Sequence, residues 1–157
     1  MLLADILQSN HVKVPLAAID KTTAIKELVE LLAKTGDIQD VPRVLDSVLQ
    51  REATRTTGVG YGLAIPHSKC PAATHLTMAV GKPVEPIDFQ SIDGQPVFLI
   101  VLLVSPPKET GAHIQALAKI SRLMTLESFR SNLRQCPTSQ AVYDAIVAQE
   151  KNLAVTV

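Results

Sequence analysis

Eight consecutive residues, Val97 to Val104, are apolar without exception. A strand with no polar position has no face to turn toward water, so it belongs inside a sheet with helices packed on both sides. The run is far too short to cross a bilayer, which takes about 20 residues. One buried strand of this kind asks for amphipathic helices on either side of it in the chain, and the sequence supplies them. Thr22 to Lys34 carries Ile25, Leu28, Val29, Leu31 and Leu32 at helical spacing. Asp20 or Thr22 can cap its start, and Gly36 stands where a left-handed residue would end it.

A second helix is predicted from about Pro42, a residue that fits a first turn, to about Glu52, with Val44, Leu45, Val48 and Leu49 inward. A third runs from Gly111 to Met124, with Ile114, Leu117, Ile120 and Met124 on one side. Ser128 to Gln135 and Ser139 to Glu150 follow, separated by Pro137. Leu63 to Ile65 and Leu76 to Val80 read as further short strands. The expected fold class is α/β: a single domain over residues 1–157, with a small mixed β-sheet flanked by helices on both faces.

Composition narrows the function. Lys+Arg and Asp+Glu are equal at 15 each, and 46% of residues are hydrophobic. Nucleic-acid binding normally needs a basic face, and no basic run exists here, so no nucleic-acid partner is expected. Asp5 interrupts the apolar start and no positive n-region precedes it, so neither a signal peptide nor membrane insertion is expected. Cys70 and Cys136 alone make no disulfide framework, which leaves a reducing, cytoplasmic setting as the simplest expectation.

The chemistry is sought among four histidines: His11, His67, His75 and His113. A single histidine is more often a surface or structural group than a catalytic one. His67 stands apart because it keeps the strand parity of Leu63 and Ile65 yet follows Pro66, which places it where regular pairing stops. Pro66 also biases Ile65 toward extended geometry, holding the imidazole on a stiff approach. His113 falls in the first turn of its helix, where free N–H groups favour an anion; its plain alternative is a capping or solvent-facing residue. Arg51 closes the second helix, where a cation complements the dipole, and an arginine is equally a bidentate partner for phosphate.

Rival motifs fall away. Gly58-x-Gly60-x-Gly62 is not the dinucleotide fingerprint, no P-loop Gly-Lys-Ser/Thr follows it, and no nucleophile elbow is present. His67-x-x-Cys70 with His75 is a weak hint of zinc, lacking a second ligand pair.

The ordered series Thr57-Gly58-Val59-Gly60-Tyr61-Gly62-Leu63-Ala64-Ile65-Pro66-His67 resembles the signature of the type-2 IIA domains of the bacterial phosphotransferase system, the mannitol/fructose-type and nitrogen-regulatory IIA proteins. Leu49-Gln50-Arg51-Glu52 upstream is similar too. So are Ile87-Asp88-Phe89, Asp93-Gly94-Gln95-Pro96-Val97 and the helix bearing His113 downstream, and the resemblance covers essentially the whole chain.

It implies that His67 is the phosphoryl acceptor and that Arg51 and His113 stabilise the phosphoryl group. The implied activity is that of a phosphotransferase component with a phosphohistidine intermediate, using no cofactor and no metal. The donor would be the HPr-type phosphocarrier or a paralogue. The acceptor would be either a IIB domain, in a sugar-transport relay, or a regulatory target protein, in the nitrogen-type branch. The regulatory role is the expectation, since these 157 residues hold no IIB or membrane-spanning segment. An interaction domain that no longer reacts is a third reading. The resemblance departs from the pattern at Ser68, where a Gly or Ala is common. Its hydroxyl could donate to a phosphoryl oxygen or alter the loop.

Overall fold

The computed structural model describes residues 1–155. Six strands make one mixed sheet: β1 (Val12–Leu16), β2 (Gly58–Gly60), β3 (Leu63–Ala64), β4 (His67–Lys69), β5 (Thr77–Pro83) and β6 (Leu99–Ser105). The order is β1-β5-β6-β3-β2, with β4 also paired to β6. β6 lies antiparallel to β5 and parallel to both β3 and β4. Helices α1 (Lys21–Lys34) and α2 (Val41–Thr54) cover one face. Helices α3 (Thr110–Met124), α4 (Glu127–Gln135) and α5 (Ser139–Val155) cover the other. The expected α/β class, with helices on both faces, is what is found.

β6 shows why both faces must be covered. All seven of its residues are buried. Leu99, Val101 and Leu103 point into the core beneath α3 to α5, while Ile100, Leu102 and Val104 point into the core beneath α1 and α2. Fully burying one such aliphatic side chain contributes about 1.5–3 kcal/mol, so this one strand anchors two cores at once.

The helix ends follow the sequence closely. The Asp20 carboxylate accepts from Thr23 N at 2.9 Å, Asp40 accepts from Arg43 N at 3.1 Å, and Gly36 takes φ +82° just beyond α1.

Four features differ from the sequence reading. β1, β2 and β4 escaped it because each is five residues or fewer, and β1 contains Pro15. α5 continues past Glu150 to Val155. Regular pairing does not stop at His67: it lapses at Ile65–Pro66 and resumes at His67, opposite Leu103. The inward stripe of α3 is rotated, so that His113 is buried while Ile114 is 59% exposed. A histidine has taken the position an isoleucine was expected to fill. Among the described residues no helix is long and apolar enough to cross a membrane.

The turn from β2 to β3 sets the approach to the site. Gly62 sits at φ +74°, and a Cβ there would lie 2.5 Å from Phe98 Cδ1. The left-handed conformation costs an L-residue about 1–2 kcal/mol, and overpacking adds about 1–3 kcal/mol. Gly62→Ala should therefore lose about 2–5 kcal/mol, seen as a lower urea midpoint at an unchanged m-value.

Candidate active site

His67 lies at the start of β4, at the end of the sheet where β4 is an outer strand beside β6. Its register partner Leu103 faces α3, so the imidazole points to that side. Nδ1 of His67 is 2.8 Å from the carbonyl oxygen of Ile65. A carbonyl can only accept, so Nδ1 carries the proton and the neutral ring presents its lone pair at Nε2. The Pro66 carbonyl meanwhile accepts from Leu103 N at 3.0 Å, which keeps the interrupted segment tied to β6.

His113 approaches from α3. Its ring meets that of His67 edge-on, with centroids 5.4 Å apart and planes at 65°. Nδ1 of His113 is 2.7 Å from the Ser105 hydroxyl at the end of β6, and Nε2 is buried without a hydrogen-bond partner. The histidine is therefore neither a cap nor solvent-facing. α3 itself begins at Thr110 and continues directly from a 3₁₀ turn over Pro107–Glu109. It lines the cleft with the side chains of His113, Ile114 and Leu117, not with its first N–H groups.

Arg51, in the last turn of α2, lines the cleft opposite, and its Nη1 donates to the carbonyl of Arg55 at 3.1 Å. The structure thus brings His67, Arg51 and His113 together. It adds two cations that sequence reasoning missed: Lys69, which lines this cleft, and Arg55, which lines an adjoining hollow that shares Arg51, His67 and Leu117 with it. No carboxylate is among the described residues that line either. Burial lowers the pKa of His67 most; the charges of Arg51 and Lys69 lower it further, against opposing contributions from the Ile65 hydrogen bond and Glu52. Burial, with the proximity of His67 and Lys69, lowers His113 to about 4. Both rings are neutral at pH 7, and the cleft is shaped for an anion.

Two buried groups support this arrangement. Glu52 accepts from Thr57 N at 2.8 Å and pairs with Lys21 Nζ at 2.7 Å, joining α1, α2 and the approach to β2. Its place at the inward spacing of Val44 and Val48 was the signal that could have exposed it. Ser68 is buried, and its hydroxyl is hydrogen-bonded to that of Ser47 on α2. That contact, not loop flexibility, is what the serine brings to the position after His67.

The zinc alternative does not assemble. His75 pairs with Asp37 at 2.9 Å, Cys70 is buried in the core under α1 and α2, and no three His, Cys, Asp or Glu side chains converge as a ligand set among the described residues. His11 is also structural, buried with Nε2 on Asp37 at 2.8 Å.

Residues 5–149 match the family model described as phosphoenolpyruvate-dependent sugar phosphotransferase system, EIIA 2. The chain is 38% identical over 133 residues to a nitrogen regulatory protein of Bradyrhizobium diazoefficiens, covering 83% of this chain and 87% of the relative. It is 35% identical to a fructose-specific EIIA component of Haloferax volcanii, covering 80% and 82%. A fructose-specific EIIABC component of Bacillus subtilis is 29% identical over 96% of this chain, which spans only 24% of that protein. Among solved structures, the nitrogen regulatory protein IIA-Ntr of Neisseria meningitidis superimposes with a TM-score of 0.85 at 28% identity, covering 92% of this chain and 98% of that one.

The depressed histidines couple the site to stability. His113 titrates near 6.5 when unfolded and near 4 when folded. Between those values the unfolded chain binds more protons, so stability rises with pH through the window and is lost on acidification. At about 1.4 kcal/mol per pKa unit, His113 accounts for on the order of 3 kcal/mol of that loss. Urea denaturation of His113→Gln should show a flatter stability profile between pH 6.5 and 4 than the parent.

Proposed function

The chain belongs to the EIIA 2 family of the phosphoenolpyruvate-dependent sugar phosphotransferase system, and on that premise we propose that Nε2 of His67 accepts a phosphoryl group and hands it on. The observation that carries the proposal is the bond from His67 Nδ1–H to the Ile65 carbonyl, which aims a neutral lone pair into a cleft lined by cations. The Nε2 lone pair attacks phosphorus in the donor's phosphohistidine. The donor's N–P bond breaks, and the electron pair returns to the donor imidazole. His67 then carries phosphate at Nε2 while Nδ1–H remains on Ile65, which stabilises the positive ring.

Positioning and fixed charge do most of the work in phosphoryl transfer. Arg51 can meet two phosphoryl oxygens at once, and Lys69 and His113 stand close enough to share the remainder. Neutral His113 contributes as a hydrogen-bond donor, not as a charge. The donor is an HPr-type phosphocarrier, whose phosphoramidate already holds the driving force, so the step needs neither metal nor nucleotide.

Downstream, the protein acts as a nitrogen-regulatory IIA protein, its phosphorylation state governing a target protein. The likeness to the Bradyrhizobium protein over most of both chains and the fit to the Neisseria structure support this branch. The sugar relay is the second reading, supported by the 35% identity to the Haloferax component. In that role phosphate would pass to a cysteine of a IIB domain.

Purified phospho-HPr, freed of its kinase, should label the protein in the presence of excess EDTA, with the phosphate mapped to His67 by mass spectrometry at alkaline pH. Labelling of His67→Ala at the parent level would overturn the assignment. Arg51→Gln should fold normally and accept phosphate about 10²–10³ times more slowly, the usual effect of losing one preorganised charge-stabilising group. Rapid transfer from the labelled protein to a purified fructose-type IIB domain would favour the relay over the regulatory branch.

A further inference from the structure

Ser105 is the residue that ends the apolar run, and its side chain is wholly buried. Its register partner is Lys69, two residues past His67 on the same face of β4, so its hydroxyl emerges on the α3 side of the sheet. The one side-chain partner it has among the described residues is Nδ1 of His113, at 2.7 Å. His113 is 2% exposed, and its other nitrogen, Nε2, is buried and unpartnered on a ring that meets His67 edge-on.

Two proton arrangements are open to this pair. If Nδ1 of His113 carried the proton, it would donate to the serine oxygen. The serine proton would then lack an acceptor, and the Nε2 lone pair would lack a donor. That leaves two buried groups unsatisfied, each costing about 1–3 kcal/mol. If the serine donates to Nδ1 instead, the serine lone pair and Nε2–H are unmatched, so within the protein alone the two counts are equal. The cleft separates them. A bare Nε2 would turn a lone pair toward an anion held among the cations there, whereas Nε2–H donates to it and leaves only the serine lone pair idle. The second arrangement is therefore favoured by one buried polar group.

We propose that Ser105 is a positioning residue that fixes His113 in the Nε2–H tautomer, so that the ring presents a hydrogen-bond donor to the phosphoryl group on His67. This rests on the phosphocarrier reading only for the identity of the acceptor; the tautomer itself is a property of the unphosphorylated protein. His67 and His113 then hold opposite tautomers: a lone pair at Nε2 in the acceptor and a proton at Nε2 in its neighbour. Ser105 and the Ile65 carbonyl are the two groups that impose them.

The experiment is long-range ¹H–¹⁵N correlation spectroscopy of the full, ¹⁵N-labelled chain at pH 7, which separates protonated from bare ring nitrogens. His113 should show a bare Nδ1 and a protonated Nε2, and His67 the reverse. Ser105→Ala should turn His113 into a tautomer mixture while leaving the His67 pattern unchanged. Ser105→Thr, which keeps the hydroxyl, should restore the parent spectrum. Phosphoryl transfer from phospho-HPr should slow in Ser105→Ala by up to about 10-fold, less than the roughly 10²–10³ expected when a donor is removed outright, and recover in Ser105→Thr.

A proton on Nδ1 of His113 in the parent protein overturns the proposal, and that spectrum is decisive even if Ser105→Ala fails to fold. An unchanged His113 tautomer in folded Ser105→Ala also overturns it. A parent spectrum as described, with no phosphate on His67, supports the role of Ser105 and counts instead against the phosphocarrier reading.

Discussion

Because β6 is buried on both faces, its alternation is fixed in a way few other segments can be. Odd-numbered residues from Leu99 to Leu103 fill one core, and even-numbered residues from Ile100 to Val104 fill the other. A slip of one residue would exchange the two sets. β4 lies alongside in parallel register, so the same parity decides that His67 and Lys69 face α3 while Ser68 faces α2. Ser105 continues the odd series one step beyond the core. The candidate site is thus placed where the apolar alternation of one strand runs out.

Two effects compete at His67, and burial wins. Desolvation and the charges of Arg51 and Lys69 favour the neutral ring, while the Ile65 carbonyl and Glu52 favour the charged one. The net result is a neutral imidazole. The cations that make the ring a poor base are also the groups that, in the proposed transfer, would stabilise an arriving phosphoryl group, so one arrangement would both prepare the nucleophile and receive the anion. Glu52, next to Arg51 in sequence, opposes this in part. Its pairing with Lys21 at 2.7 Å and the Thr57 N–H it accepts from at 2.8 Å partly offset its charge, so its effect on His67 stays smaller than that of burial.

Much of this was legible in the sequence. The unbroken run from Val97, the stripes of α1 and α2 and the capping residues Asp20 and Gly36 each report a local rule that tertiary structure did not override. The convergence of His67, Arg51 and His113 was accessible through the ordered glycine and Pro-His series, not through any property of one residue. What escaped has a common cause. β1, β2 and β4 are too short to show a period, and they exist because a neighbouring strand supplies their hydrogen bonds. Ile114 followed the helical pattern yet lies at the cleft mouth, because the inward position in that turn of α3 is taken by His113. Lys69 and Arg55 read as ordinary surface cations until β4 and the residue after α2 place each of them in a hollow beside His67 and Arg51.

Arg51 and His67 sit on different elements on either side of the sheet end, so their spacing depends on how α2 is held against β4. Ser47 lies four residues before Arg51 on α2, and Ser68 directly follows His67. Residues four apart on a helix share a face, so the hydrogen bond between the two hydroxyls joins the elements beside both functional side chains. An alanine or glycine at position 68 would leave that spacing to packing alone. Strand parity turns the hydroxyl of Ser68 toward the helix although it adjoins His67, the proposed acceptor, and the contact with Ser47 holds it there. With the spacing of the two elements set during folding, little ordering would remain to be done in the proposed phosphoryl transfer.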